Sequence, residues 1–301
     1  MSNPQIDIIP SHEIDQKKWD SCIRSSSNPL IYAYTYYLDH LADNWHGLII
    51  NDYEAVLPVP WRKKYGIRYC YDVPFIQQLG CFAASNKGYT SLLVQQLFKV
   101  CKYGDYNFNF LNIVADAEQC TNCIIDLSQD YESITSCYKG DLENNLRKAS
   151  RQSLTYLQEN HETAIAIYKD LYNHRMPNIT VKDYENFVRL SHYLHQQNNI
   201  VVRKVINANN ELLAVALLLK DEQRLYNLMN STTETGRKTE ANHFLFDMIL
   251  KEFAGSKLIF DFEGSDIPGV KSFYEKFGAV DQPYCKIHFN HLPFPLKLLK
   301  R

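Results

Sequence analysis

Residues 224–279 read RLYNLMNSTTETGRKTEANHFLFDMILKEFAGSKLIFDFEGSDIPGVKSFYEKFGA, and the order of elements in this stretch decides the fold. Arg224 to Met229 reads as a strand ending at Asn230. A polar loop, Ser231 to Thr239, carries Gly236-Arg237-Lys238 and opens a long amphipathic helix expected over Lys238–Ala254. Lys257 to Phe262 reads as a buried strand running into Glu263-Gly264-Ser265. A short helix, Pro268 to Phe277, stops at Gly278, the residue type that most easily ends a helix in the left-handed conformation.

Three places in this stretch carry chemistry. A helix start after a glycine-containing loop offers free N–H groups and a positive dipole end. Gly236, Arg237, Lys238, Thr239 and Asn242 would there hold a phosphate; the plainer reading is a solvated loop capped by Thr239. Glu263, at the carboxyl end of a strand, suits a general base toward an amine, or else a turn that caps the next helix. Phe273 and Phe277 form one buried stripe at i and i+4. Tyr274 falls between them, either as a proton donor or as a core tyrosine with a bonded tip.

Working outward, the region before this block reads as a polar helix (Asp141–Gln152), a strand (Leu154–Leu157), two helices (His161–Asn173 and Val181–Gln197) and a three-strand meander from Ile200 to Met229. After it come a last strand, Tyr284–Phe289, and a Pro-rich tail. The first half reads as mixed α and β. It has a hairpin (Trp45–Ile50 with Glu54–Pro60), a basic turn at Trp61–Gly66, strands at Tyr69–Asp72 and Phe75–Phe82, a helix at Gly88–Lys102, and strands at Tyr106–Ile113 and Cys123–Leu127. Both halves run helices, antiparallel strands, helix, strand, which suggests two copies of one fold. The domains expected are 1–138 and 139–285, with 286–301 packing back on the first.

Composition bounds the alternatives. The chain has 301 residues, enough for about two domains. Its net charge of −2 supplies no global basic field, so DNA is not an expected partner. The longest apolar run, Leu212–Leu219, is far shorter than the ~18 residues a membrane helix needs. Met1 to Asp20 has no cationic start followed by an apolar block, so a cytoplasmic location and no membrane partner are expected. The eight cysteines then read as reduced, mostly core residues, including the pair Cys120-x-x-Cys123. His192-x-x-His195 and His288-x-x-His291 lack a carboxylate at metal-ligand spacing, so no metal site is expected.

The strand, the Gly236-Arg237-Lys238 loop, the helix, the next strand and Phe273-Tyr274-Glu275-Lys276-Phe277-Gly278 together resemble the GNAT acyltransferase superfamily. That resemblance implies a loop and helix holding the pyrophosphate of acyl-CoA, and a tyrosine, Tyr274, that protonates the departing thiolate. Ala279 stands where the superfamily usually has Phe. The loop departs from the superfamily's Arg/Gln-x-x-Gly-x-Gly/Ala, since Gly236 is followed by Arg237, Lys238 and Thr239.

Pro74-Phe75-Ile76-Gln77-Gln78-Leu79-Gly80, Asn145-Leu146-Arg147-Lys148-Ala149 and Phe260-Asp261-Phe262-Glu263-Gly264-Ser265 are similar to the FemAB-like branch, which carries two GNAT-like domains in tandem. The fold class implied is α/β (an α+β mixed sheet) in two tandem GNAT-like domains. The function implied is acyl transfer from acyl-CoA to a small-molecule or peptide amine bound between the domains. Glu263 would take the amine proton, Tyr274 would serve the leaving group, and Asn230 with nearby strand N–H groups would polarise the carbonyl. Trp61, Tyr71, Gln77, Gln78 and Ser265 are the substrate-binding candidates. The alternatives are transfer from aminoacyl-tRNA to a peptidoglycan precursor, disfavoured by charge and by the missing coiled-coil arm, and a GNAT-derived scaffold without activity.

Overall fold

The computed structural model describes residues 4–85, 88–172, 174, 176, 178–264, 266 and 268–299. The chain divides into two compact units, the first formed by residues 1–120 and 283–301, the second by 121–282.

The first unit contains β1 (Ile6–Pro10), α1 (Gln16–Ser25), α2 (Thr35–Leu41), β2 (Trp45–Ile50), β3 (Ala55–Pro60), β4 (Arg62–Lys64), β5 (Ile67–Cys70), β6 (Phe82–Ala83), α3 (Tyr89–Val100), β7 (Tyr103–Phe108) and β8 (Glu118–Cys120). The second unit follows with β9 (Cys123–Asp126), α4 (Tyr131–Ser136), α5 (Leu142–Ser150), β10 (Thr155–Gln158), α6 (His161–Tyr172), α7 (Val181–Gln196), β11 (Ile200–Ile206), β12 (Leu212–Lys220), β13 (Arg224–Thr232), α8 (Glu234–Lys238), α9 (Ala241–Phe253), β14 (Ile259–Asp261), α10 (Pro268–Glu275) and β15 (Val280–Asp281). The chain then returns to the first unit as β16 (Tyr284–Asn290).

The second unit is built on one sheet in the order β10-β11-β12-β13-β14-β9-β15. The long run of Leu and Ala in β12 is buried at every position from Leu213 to Leu219, which means that both faces of the strand are covered. Helices α6 and α9 both pack on it. A strand clad on both faces gains nothing from alternation, and its sequence is accordingly apolar throughout. The core gathers Leu213, Leu245, Phe246, Ile249, Phe260, Phe262 and Phe277. Helix α7 starts at a capping box, Thr180 with Asp183, which satisfies two orphan N–H groups. The first unit holds two sheets, β1-β2-β3-β6 and β4-β5-β7-β16-β8.

Three local expectations are corrected. The segment expected as a strand over Phe75–Phe82 is mostly irregular and forms a strand only at Phe82–Ala83; Phe75 adopts a φ of 65°, incompatible with a strand. The basic turn at 61–66 is a hairpin, β4 pairing with β5 across Tyr65-Gly66. The long helix expected from Lys238 starts only at Ala241, after Glu240, whose φ of 58° lies in the left-handed region, and the expected loop before it contains the short helix α8.

Candidate active site

The site lies where two parallel strands of the second unit part. β13 and β14 pair only over Arg224–Tyr226 against Ile259–Asp261. β14 then ends, while β13 continues to Thr232. The ladder between β12 and β13 shifts register between Leu217 and Leu219. Such an irregularity bends a strand and raises its twist, so the parallel pair opens here. Asn227 bridges the opening, its Nδ2 donating to the Phe262 carbonyl at 3.3 Å.

A buried ion pair anchors the base. Arg224 Nη1 lies 2.8 Å from Asp261 Oδ2, with the two side chains only 4% and 1% exposed. Asp261 Oδ1 also accepts from Asn122 Nδ2 at 2.9 Å and from the Glu263 N–H at 3.1 Å. A buried carboxylate is tolerable only when its lone pairs are satisfied in this way. The bond to Glu263 also holds that residue at a φ of 53°, a conformation that costs a non-glycine residue about 1–2 kcal/mol. Sequence reasoning missed this pair, although Arg224 and Asp261 are conspicuous as charges at the ends of apolar strands.

Tyr274 on α10 is buried and stacks on Phe262, ring centroids 4.3 Å apart. Burial drives its phenol far above the ordinary range, and the charges of Glu263 and Cys123 add to the effect, the Asn227 amide opposing. A phenol held so high stays protonated at neutral pH, so it donates and does not act as a base. Glu263 is half-buried beside it. Two buried atoms on β13, Asn227 Oδ1 and Ser231 Oγ, meet no hydrogen-bond partner among the described residues.

A concavity of about 500 Å³ is lined by Asn230, Gly236, Arg237, Glu240, Asn242 and His243, with Tyr172 and Phe273 as aromatic walls. Asn230 and Asn242 meet there, Nδ2 of the former donating to Oδ1 of the latter at 3.0 Å. Four residues singled out in the sequence thus share one hollow: Asn230, Gly236, Arg237 and Asn242. Lys238 and Thr239 stay out of it. Lys238 is exposed and pairs with Glu234 at 2.7 Å. Thr239 Oγ1 donates to the Thr235 carbonyl at 3.0 Å, closing α8.

Gly236 has a packing reason. Its N–H donates to Thr233 Oγ1 at 3.0 Å, and a Cβ at this position would collide with the Leu213 carbonyl oxygen of β12. The glycine lets α8 rest on the strand backbone, and its N–H is already used by the helix cap.

His243 was not singled out from the sequence. Its Nδ1 faces Glu240 Oε2 at 3.0 Å, and its Nε2 faces Asn145 Nδ2 at 3.3 Å. The Asn145 amide nitrogen can only donate, which assigns the neutral tautomer with the proton on Nδ1 toward Glu240. Burial lowers the imidazole's pKa, the Glu240 charge opposing. The signal available in the sequence was Glu240-x-x-His243, an i, i+3 pair on a helix.

The candidates in the first unit are engaged in internal contacts. Gln78 is 1% exposed; its Oε1 accepts from the Phe110 N–H at 3.1 Å, and its Nε2 donates to Gln77 Oε1 at 2.7 Å. Its amide is therefore spent within the unit, not turned toward a ligand. Trp61 Nε1 donates to His46 Nδ1 at 2.6 Å. Tyr71 Oη accepts from the Asp43 N–H at 2.9 Å and lies under the Arg62 guanidinium, 3.9 Å from the ring centroid. Tyr71 and Gln77 line a notch of about 20 Å³, space for about one water and not for a sugar or peptide. Ser265 lies outside the described residues.

No protein-family profile and no curated protein sequence matches the chain. Solved structures do. FemX superposes with a TM-score of 0.66 at 12% identity, over 98% of this chain and 99% of that one. L-PGS from Bacillus licheniformis gives 0.53 at 11% identity, over 95% of each chain. Saccharomyces cerevisiae N-myristoyltransferase with bound myristoyl-CoA gives 0.53 at 11% identity, over 98% of this chain and 80% of that one. The fold is therefore GNAT-like, in two tandem units. Among the described residues no helix is long and apolar enough to cross a membrane.

Proposed function

We propose that the protein is an N-acyltransferase whose chemistry lies in the second unit. One observation carries this reading: buried Tyr274 on α10 and half-buried Glu263, in the turn just after β14, lie within electrostatic reach of one another where β13 and β14 part. In the reaction an amine attacks an acyl carbonyl. A C–N bond forms and the bond from the acyl carbon to the donor's oxygen or sulfur breaks. Glu263 takes the amine proton, directly or through water, and Tyr274 donates to the leaving group. Asn227 and Asn230 offer amide N–H groups to the carbonyl oxygen, where negative charge develops. The unpaired Asn227 Oδ1 and Ser231 Oγ supply acceptors for the amine.

Two donors fit this chemistry. Acyl-CoA is the donor implied by the GNAT resemblance. An aminoacyl ester, as carried by charged tRNA, is favoured by two specific features. The Gly236 N–H is already donated to Thr233. Glu240, in the left-handed position just before α9, puts a carboxylate where a pyrophosphate would meet the helix end. Arg147, Lys148 and Arg151, with Asp141 and Asn144, border a further hollow of about 390 Å³ whose three cations could meet a phosphate backbone.

Thermal-shift titrations separate the donors. A ligand at 100 times its Kd stabilises the native state by about 2.7 kcal/mol, a readily seen shift. A 3′-aminoacyl-adenosine or charged tRNA is expected to shift the melt, with acetyl-CoA and myristoyl-CoA flat; the reverse pattern returns the donor to CoA. With the responding donor, Tyr274→Phe and Glu263→Gln should each lower kcat by about 10²-fold or more. Unchanged turnover in both variants removes this site from the mechanism.

A further inference from the structure

The packing of α6 on α7 brings together side chains far apart in sequence. His161 and Glu162 open α6; His192 and His195 lie near the end of α7. A ring nitrogen of His161, a ring nitrogen of His192 and a carboxylate oxygen of Glu162 all lie within 4.8 Å of one another. His192 Nε2 is 2.9 Å from Glu162 Oε1. The ring of His161 also lies against that of His195, centroids 4.9 Å apart.

An ordinary interhelical ion pair explains His192 and Glu162. It does not explain His161, which is only 6% exposed and whose Nε2 meets no hydrogen-bond partner among the described residues. A buried imidazole nitrogen without a partner is costly, and most such groups are satisfied. Coordination would satisfy it.

We propose that His161, Glu162 and His192 form a binding site for a borderline divalent cation of the zinc class, with the His195 ring beside it and water completing the coordination. Imidazole and carboxylate are the ligands such ions take from proteins, at about 2.0–2.2 Å. A tetrahedral ion needs its ligand atoms about 3.3 Å apart. The pair Glu162 and His192 is already at 2.9 Å, and both side chains are about half exposed, so the contraction needed to meet an ion is small. The sequence could not show this site because its carboxylate and second imidazole come from another helix. Bound metal would tie α6 to α7, and α6 carries Tyr172, a wall of the candidate active site, about 17 Å further along the helix.

The test uses the untagged full chain, since a histidine tag would bind the same ions. Isothermal titration with ZnCl2 should show one saturable equivalent, and zinc should raise the melting temperature reversibly to EDTA. His192→Ala and Glu162→Gln change exposed residues; in EDTA their melting temperatures should equal the parent's, while zinc affinity falls at least 10-fold. Cobalt(II) in place of zinc should give the visible bands of a nitrogen-ligated ion in the parent and lose them in His192→Ala. No saturable binding at millimolar zinc, or equal affinity in parent and both variants, overturns the proposal.

Discussion

At residue scale the protein uses burial to set proton chemistry. Tyr274 is kept protonated by an apolar stack and a neighbouring carboxylate, and Glu263 is held in its turn by a bond to Asp261, itself fixed by Arg224. The placement of these side chains was partly legible: Glu263 and Tyr274 stood out in a strand-turn-helix pattern, whereas the ion pair beneath them did not. A second buried group gives a pH prediction. His46 accepts the Trp61 indole N–H on Nδ1, and burial, followed by the Arg68 charge, lowers its pKa. The folded state thus resists a proton that the unfolded chain accepts below about pH 6.5. Stability should decline as pH falls from there toward the depressed folded value. Urea midpoints at pH 7.5 and 5.5 should differ in that direction. His46→Gln, which keeps an acceptor for Trp61, should shrink the difference; an undiminished gap would assign it to other groups.

At element scale the loop between β13 and α9 shows why a motif reading needs geometry. Gly236, Arg237 and Asn242 do line one hollow. Yet the glycine is demanded by the approach of α8 to β12, and the left-handed residue ahead of α9 is Glu240. Neither fact can be read locally, because one depends on a carbonyl more than twenty residues earlier and the other on the backbone angle of a residue type that rarely takes it. Gly236→Ala should destabilise the chain by about 1–3 kcal/mol through overpacking against Leu213, seen as a lower urea midpoint. A neutral outcome would mean that α8 shifts freely. Strands with a clear pattern were legible: the meander β11-β12-β13 and the helices α6 and α7 lie where periodicity put them. Segment 75–82 was misjudged, since a short apolar run does not distinguish a strand from an irregular buried stretch.

At the scale of the whole molecule the chain leaves the first unit after Cys120 and re-enters it at Pro283. β16 then lies between β7 and β8, pairing with both. A chain stopped after Gln282 would leave those two strands without their shared neighbour and with exposed edges. All three tryptophans, Trp19, Trp45 and Trp61, belong to the first unit, so their fluorescence reports on it alone. Truncation should shift their emission toward that of unfolded chain while helical circular dichroism from the second unit persists. Native-like emission in the truncated chain would show that β16 is dispensable.

The sequence by itself determined the elements with strong periodicity, their order in the second unit, and through that order the GNAT-like resemblance. Those properties follow from local side-chain patterning, which a chain carries wherever it folds. Only the tertiary structure decided which side chains meet. It set Arg224 against Asp261, Gly236 against Leu213, and His161 and Glu162 against His192, whereas Glu240 and His243, three residues apart, meet locally. Each of these contacts except Glu240 with His243 joins residues on separate elements, and their meeting depends on how those elements pack, which no local pattern encodes.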